Sequence, residues 1–253
     1  MNRLAGLCKL LHTALHVVGG LLTILLLFPA LDGAQRQMRV QRWSAAMLSA
    51  MGVRLKVDGP IQQTGPVMIV ANHTSWLDIT ALHSVQFCRF VAKADIKRWP
   101  VLGGLADRSG TLFIERASRR DALRVVHHMA DSLRAGDVLA VFPEGTTSDG
   151  TALLPFHANL FQAAVSANAP VQPVLIQYLD RQSGHINQAP NFVGEEFFLV
   201  SVWRTLCTPG LVAHIRLGTP QAIDSRDRRV LAAQLRDAVA ALQTSEQGLA
   251  QDI

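Results

Sequence analysis

His73 and Asp78, in the stretch Ala71-Asn72-His73-Thr74-Ser75-Trp76-Leu77-Asp78, are the residues of this chain best spaced to do chemistry. A carboxylate on one imidazole nitrogen fixes the tautomer and leaves the other nitrogen free as a base. The His-x4-Asp spacing allows this if Ser75 to Asp78 begin a helix whose first turn returns the carboxylate to the ring. No Gly-x-Ser-x-Gly elbow occurs in the sequence, so no obvious serine nucleophile accompanies the pair. The chemistry implied is a base that activates a hydroxyl on a substrate. A histidine capping a turn and an aspartate capping a helix would show the same spacing.

The elements that must position this pair follow from the pattern on either side. Val67-Met68-Ile69-Val70 is an apolar run of strand length, and the polar residues begin where it ends. In an open α/β sheet, chemistry collects at the carboxyl ends of strands. Further strands are expected at 53–57 (an edge strand), 90–92, 110–114, 138–142, 171–178 and 214–217. Helices are expected at 79–85, 121–133, 156–167 and 230–242, and a long polar loop at 180–196. Strands alternating with helices imply an α/β fold with a mostly parallel sheet flanked by helices. The catalytic domain then covers residues 52–243, and residues 244–253 form a frayed tail.

Residues 1–51 read differently. Val17 to Leu31 carries no charge and ends in Phe28-Pro29-Ala30-Leu31. Fifteen helical residues reach about 22 Å, short of the ~30 Å hydrocarbon core, but adding 10–16 makes the segment long enough to span. A signal peptide, a single span and a monotopic helix all fit; no small-x-small cleavage site follows Leu31, so an uncleaved hydrophobic membrane helix is the expectation. Ala34 to Met51 reads as an amphipathic helix. Arg36, Arg39 and Arg42 line one side, and Trp43, Met47 and Met51 form an apolar line. That line suits either anionic headgroups or packing on the chain's own domain. The arginines place the catalytic domain on the cytoplasmic face of the cell membrane. His12 and His16 have a helical metal spacing but no third ligand nearby, so they read as polar tips and no metal site is expected.

Composition agrees. The chain has 253 residues, 49% hydrophobic and 17% charged, with a net charge of +5. That fits a globular domain held at a bilayer and handling anionic partners. No helix-turn-helix, zinc finger or aromatic sheet motif is present, so no nucleic-acid partner is implied. Cys8, Cys88 and Cys207 have no metal-like spacing and read as reduced thiols.

Three further stretches stand in order after the His73 block: Gly110-Thr111-Leu112-Phe113-Ile114-Glu115-Arg116, Phe142-Pro143-Glu144-Gly145-Thr146-Thr147-Ser148 and Val171-Gln172-Pro173-Val174. Together the four resemble the ordered blocks of the 1-acyl-sn-glycerol-3-phosphate acyltransferase family of glycerolipid acyltransferases, over roughly 67–178. The resemblance implies O-acyl transfer from acyl-CoA or acyl carrier protein, as co-substrate, to the free hydroxyl of 1-acyl-sn-glycerol-3-phosphate, giving phosphatidic acid. No cofactor is implied. The partners implied are membrane lipids, the acyl donor and a lysolipid acceptor.

By the same resemblance His73 is the base and Asp78 its partner. Lys93, in Val91-Ala92-Lys93-Ala94-Asp95-Ile96, matches a Lys-x-Glu-Leu block whose lysine steadies the oxyanion, although Asp95 and Ile96 depart from that pattern. Arg116 matches an arginine that contacts the acceptor phosphate, for which its planar fork is suited. Glu144 would orient the acceptor or Arg116, Gly145 would allow close backbone approach, and Thr146 would stand beside them. Pro173 would shape the acyl or acceptor pocket. The family's third block usually carries arginine where this chain has Thr147. With Asp149-Gly150 following, that departure resembles the lyso-ornithine-lipid acyltransferase branch, so acylation of lyso-ornithine lipid is the alternative. A membrane lipid-binding protein with a decayed site, and a thioesterase in which water replaces the acceptor, are the other classes to weigh.

Overall fold

The structure is a computed structural model that describes residues 3–62, 64–99, 101–114, 119–223 and 227–244. Its strands are β1 (Arg54–Asp58), β2 (Val67–Ala71), β3 (Arg89–Lys93), β4 (Leu112–Ile114), β5 (Val138–Val141), β6 (Val171–Asp180) and β7 (Leu211–Leu217). They form one seven-stranded sheet in the order β1-β7-β6-β2-β5-β3-β4. Every pairing is parallel except β6 with β7. The five strands from β6 to β4 therefore share one carboxyl edge.

The helices are α1 (Arg3–Leu26), α2 (Gly33–Ala50), α3 (Leu77–Val85), α4 (Leu102–Arg108), α5 (Arg119–Arg134), α6 (Gln162–Ala167), α7 (Phe198–Cys207) and α8 (Arg228–Thr244). Strand alternation sorts them into two layers. Val67, Ile69 and Ala71 of β2 pack with Met47, Leu48 and Met51 of α2, with Leu77, Ala81 and Leu82 of α3 and with Leu206 of α7. Met68 and Val70 face the other way, onto Met129, Ala130 and Leu133 of α5 and Leu231 and Leu235 of α8. A strand buried on both faces shows a continuous apolar run instead of alternation, which is why β2 and β5 were legible.

The line Trp43, Met47 and Met51 of α2 packs on the chain's own core, leaving Arg36, Arg39 and Arg42 exposed. That decides between the two expectations for this helix. Asp32 and Gln35 close a capping box at its start, with Asp32 Oδ1 accepting from the Gln35 N–H at 2.8 Å and Gln35 Oε1 from the Asp32 N–H at 3.1 Å. The α1 helix is long and apolar enough to cross a membrane. It also lies against the domain at two points. A Cβ at Gly6 would stand 2.6 Å from Cys207 Sγ, and one at Gly20 would stand 2.4 Å from Trp43 Nε1. His16 stacks on Trp43 at 5.1 Å and its Nε2 lies 2.9 Å from the Trp43 carbonyl, while His12 is exposed. The two histidines thus do not converge, and no metal-ligand cluster occurs among the described residues.

The structure adds two helices to the expected set. The α4 helix lies between β3 and β4, the α7 helix follows the polar loop, and β7 begins three residues before the expected strand. The tail at 245–253 lies outside the described residues.

Candidate active site

The β2 strand stops at Ala71, and Asn72 continues its pairing by side chain. Asn72 Nδ2 donates to the Ile176 carbonyl at 3.0 Å, and Asn72 Oδ1 accepts from the Ile176 N–H at 2.7 Å. That frees the backbone of the next residues to turn. His73 emerges at the sheet edge, one-fifth exposed at its side chain. Its ring stacks on Phe142, which follows β5, with centroids 4.0 Å apart.

The α3 helix begins at Leu77, two residues before the expected helix at 79–85, and its first turn carries Asp78. The return contact is made: His73 Nδ1 lies 2.8 Å from Asp78 Oδ2. The same oxygen accepts the N–H groups of Thr74 at 2.8 Å and Ser75 at 2.9 Å. The other oxygen accepts the Tyr178 hydroxyl at 2.7 Å. Asp78 is fully buried. An unpaired carboxylate there would cost several kcal/mol, and hydrogen bonds to a charged group return about 1.5–3 kcal/mol each. Four donors on one carboxylate make it an acceptor on every side. Nδ1 of His73 is then the protonated ring nitrogen, and Nε2 carries the free lone pair. Burial, reinforced by the adjacent Asp78, holds the Tyr178 phenol well above its ordinary value, so it stays a donor.

Glu144 sits beneath this pair. Its Oε1 accepts the His73 N–H at 2.9 Å and its Oε2 accepts the Leu154 N–H at 3.1 Å. The side chain is buried, and burial raises its carboxyl above the ordinary value, against the pull of those two hydrogen bonds. Both oxygens of Glu144 are thus bonded to backbone and it clamps two loops together; Arg116, which it was also expected to orient, lies outside the described residues. Ser148 N–H closes the other side of the clamp by donating to the His73 carbonyl at 2.9 Å. Gly145, at φ 72°, closes the intervening turn by donating to the Phe142 carbonyl at 3.1 Å. Thr146 is exposed and Thr147 half-buried, both on this turn.

The remaining expected residues are spread along the carboxyl edge. Ile69, Ala140 and Phe90 share one row of the sheet. Lys93, three residues after Phe90, therefore ends β3 at the height of Asn72. Its side chain lies outside what the structure describes, as does the whole of Arg116. Pro173 is placed elsewhere. It pairs with Val70 inside the sheet and packs on Gly218, whose Cβ would stand 2.8 Å from the proline ring. It is a buried wedge three rows below His73.

Sequence reasoning missed three contributors. Tyr178 is the one polar-tipped residue in the core-facing series Val174, Ile176, Tyr178, and that was its available signal. Asn72 was inside the motif but without a role. The loop after β6 covers the block: Ser75 Oγ donates to the Pro190 carbonyl at 2.6 Å, and Phe192 N–H donates to the Thr74 carbonyl at 2.9 Å. Polar loop composition carries no signal for such docking.

A histidine–aspartate pair at a strand end, on a mostly parallel sheet with helical layers, defines an acyl-transferring α/β protein once set beside its relatives. The Acyltransferase family model matches residues 53–177. The chain is 37% identical to the lyso-ornithine lipid O-acyltransferase of Pseudomonas aeruginosa over 83% of this chain and 81% of that one. It is 34% identical to the 1-acyl-sn-glycerol-3-phosphate acyltransferase of Neisseria meningitidis over 81% and 80%. The 1-acyl-sn-glycerophosphate acyltransferase structure from Thermotoga maritima shares the fold, with a TM-score of 0.66 at 20% identity over 96% of each chain. The protein belongs to this acyltransferase family and is an acyltransferase. The decayed-site and thioesterase expectations give way to that membership.

Proposed function

We propose that the protein transfers an acyl chain from the thioester of acyl-CoA or acyl carrier protein to the free hydroxyl of a lysolipid. The observation that carries this is the 2.8 Å contact between His73 Nδ1 and a buried, four-donor Asp78. Nε2 of His73 takes the hydroxyl proton as the oxygen attacks the thioester carbonyl. The tetrahedral oxyanion collapses with cleavage of the C–S bond, and the departing thiolate takes the proton back from Nε2. Asp78 offsets the imidazolium charge between those steps. Lys93, ending β3 at the same edge, is assigned to the oxyanion, and Arg116 to the acceptor headgroup.

The first acceptor is 1-acyl-sn-glycerol-3-phosphate, giving phosphatidic acid. The Neisseria relative supports this reading. Thr147 and the Pseudomonas relative support a second one, lyso-ornithine lipid. The membrane holds the chain through α1, with the exposed arginines of α2 and the catalytic domain on the cytoplasmic side, where both acyl donors are found. The test is an assay of the purified enzyme with labelled acyl-CoA and acyl-acyl carrier protein against a panel of lysolipids. Labelled diacyl product with either acceptor is expected. Release of free fatty acid with every acceptor, and no lipid product, overturns the reading.

A further inference from the structure

The α7 helix presents an apolar surface that none of the described residues covers. Phe197, at its N-cap, is 67% exposed, Leu199 60% and Val200 51%. Beside them Trp99 and Val101 are also exposed. Phe198 ties these residues into one cluster, its ring 5.4 Å from Trp76, 6.1 Å from Phe192 and 6.3 Å from Trp99. A helix that met only water would carry polar residues on this side.

The surface continues into α1. Trp203 lies one turn after Leu199 and Val200, and it stands 3.4 Å from the Cβ position of Gly6. The residues of α1 that turn away from Gly6 and Gly20 are Leu4, Leu7, Leu11, Leu15, Val18 and Leu22, all exposed. Charge complements the apolar face: Lys97 and Arg98 precede Trp99 and are exposed, as are Arg36, Arg39 and Arg42. Basic and tryptophan side chains at the margin of an apolar face fit the headgroup zone of an anionic bilayer. The face is also joined to the catalytic block. Trp76 Nε1 donates to Ser201 Oγ of α7 at 3.2 Å, and Trp76 follows Ser75 directly.

We propose that α7 is a second bilayer-contact element, which seats Phe197, Leu199 and Val200 in the leaflet that holds α1 and so keeps the His73 site at the lipid surface. The clause about the site rests on the acyl-transfer reading above; the seating does not. The acceptor then needs to expose only its hydroxyl and headgroup, while its acyl chain stays among lipids.

The test labels three single-cysteine sites in the full chain reconstituted into phosphatidylcholine–phosphatidylglycerol vesicles. Cys8 on α1 is exposed and serves as its own reference, and the other two cysteines are buried. Leu199→Cys and Asp131→Cys, each with Cys8→Ser, report α7 and the distant α5. With an environment-sensitive fluorophore, the labels at 8 and 199 are expected to be quenched by doxyl lipid and shielded from iodide, and the label at 131 the reverse. A label at 199 that behaves like the one at 131 overturns the proposal. So does iodide access at position 8, or shielding at 199 that depends on protein concentration, which would mean a second copy covers the face.

A functional arm separates this from the acyl-transfer reading. Leu199→Ser with Val200→Ser is expected to keep activity on acceptor in detergent micelles. With acceptor in vesicles it loses about tenfold or more, the scale for removing one buried leucine-sized side chain from lipid. An equal loss in both settings overturns the role at the surface. No activity in the unaltered protein would sink the acyl-transfer reading and leave the labelling result standing.

Discussion

Tyr178 and Asp78, one hundred positions apart in the chain, share a hydrogen bond of 2.7 Å that reaches the Asp78 oxygen His73 does not use. The Asp78 carboxylate that holds the His73 ring is therefore itself held from two sides, by the amides of its own loop and by a phenol from β6. Tyr178→Phe removes that donor and keeps the ring. The carboxylate, with one fewer donor, is held less firmly against the ring. The kcat should fall about ten- to a hundredfold for a charge-assisted bond lost in a buried site. KM should be nearly unchanged. An unchanged kcat would mean the hydroxyl only packs.

His73→Ala should abolish transfer in a protein that still folds, because the ring is partly exposed and no other described histidine contacts Asp78. Asp78→Asn should lower kcat by a factor on the order of 10⁴, the scale for a catalytic carboxylate changed to an amide that favours the wrong tautomer. Steady-state kinetics with folding checked by circular dichroism decide it. Near-normal rates in a folded His73→Ala protein would remove the proposed base.

Glu144→Gln should act on stability before chemistry. An amide presents one oxygen where the clamp needs two acceptors, so one backbone N–H faces an NH2 group, at a cost of about 1–3 kcal/mol. The pH dependence has a definite sign. Burial raises the folded-state carboxyl of Glu144, so the folded protein binds the proton more tightly than the unfolded chain. That stability is present below the ordinary glutamate value and is lost as pH rises from there through the raised folded value. Thermal melts across that window should show the native protein losing ground relative to Glu144→Gln as pH rises. Parallel curves would mean the carboxyl is not strained by burial.

Thr147→Arg should shift acceptor preference. A phosphate monoester carries nearly two charges near neutral pH, and the third block of this chain lacks the usual cation. Thr147 is half-buried on the turn below His73, within the loop that Glu144 clamps. Restoring an arginine should favour 1-acyl-sn-glycerol-3-phosphate over lyso-ornithine lipid by roughly ten- to a hundredfold, the worth of one charge-assisted contact. Competition at equal concentrations measures it. An unchanged ratio would show that position 147 does not face the headgroup.

Sequence made the sheet legible because its central strands are buried on both faces and separated by helical periods. The His73–Asp78 contact was legible for a local reason: five positions and one helical turn set it. What was not legible was non-local. Glu144 was read by its motif as a ligand, but its partners are two backbone amides, and backbone groups leave no trace in side-chain identity. Pro173 was read the same way, yet the row it occupies depends on its register with Val70. The α7 helix was passed over because its ten residues follow a polar loop and carry an apolar side that the described residues do not cover.

The order of strands has a consequence for how the protein is made. Among the described residues the β1 strand pairs only with β7, which begins at Leu211, and the His73 block is tied to Tyr178, Pro190 and Phe192. A ribosome delivers α1 long before any of these. The helix long and apolar enough to cross a membrane is therefore complete while β1 still lacks its neighbour and Asp78 still lacks its phenol. The apolar segment is made first and the His73 block is completed last.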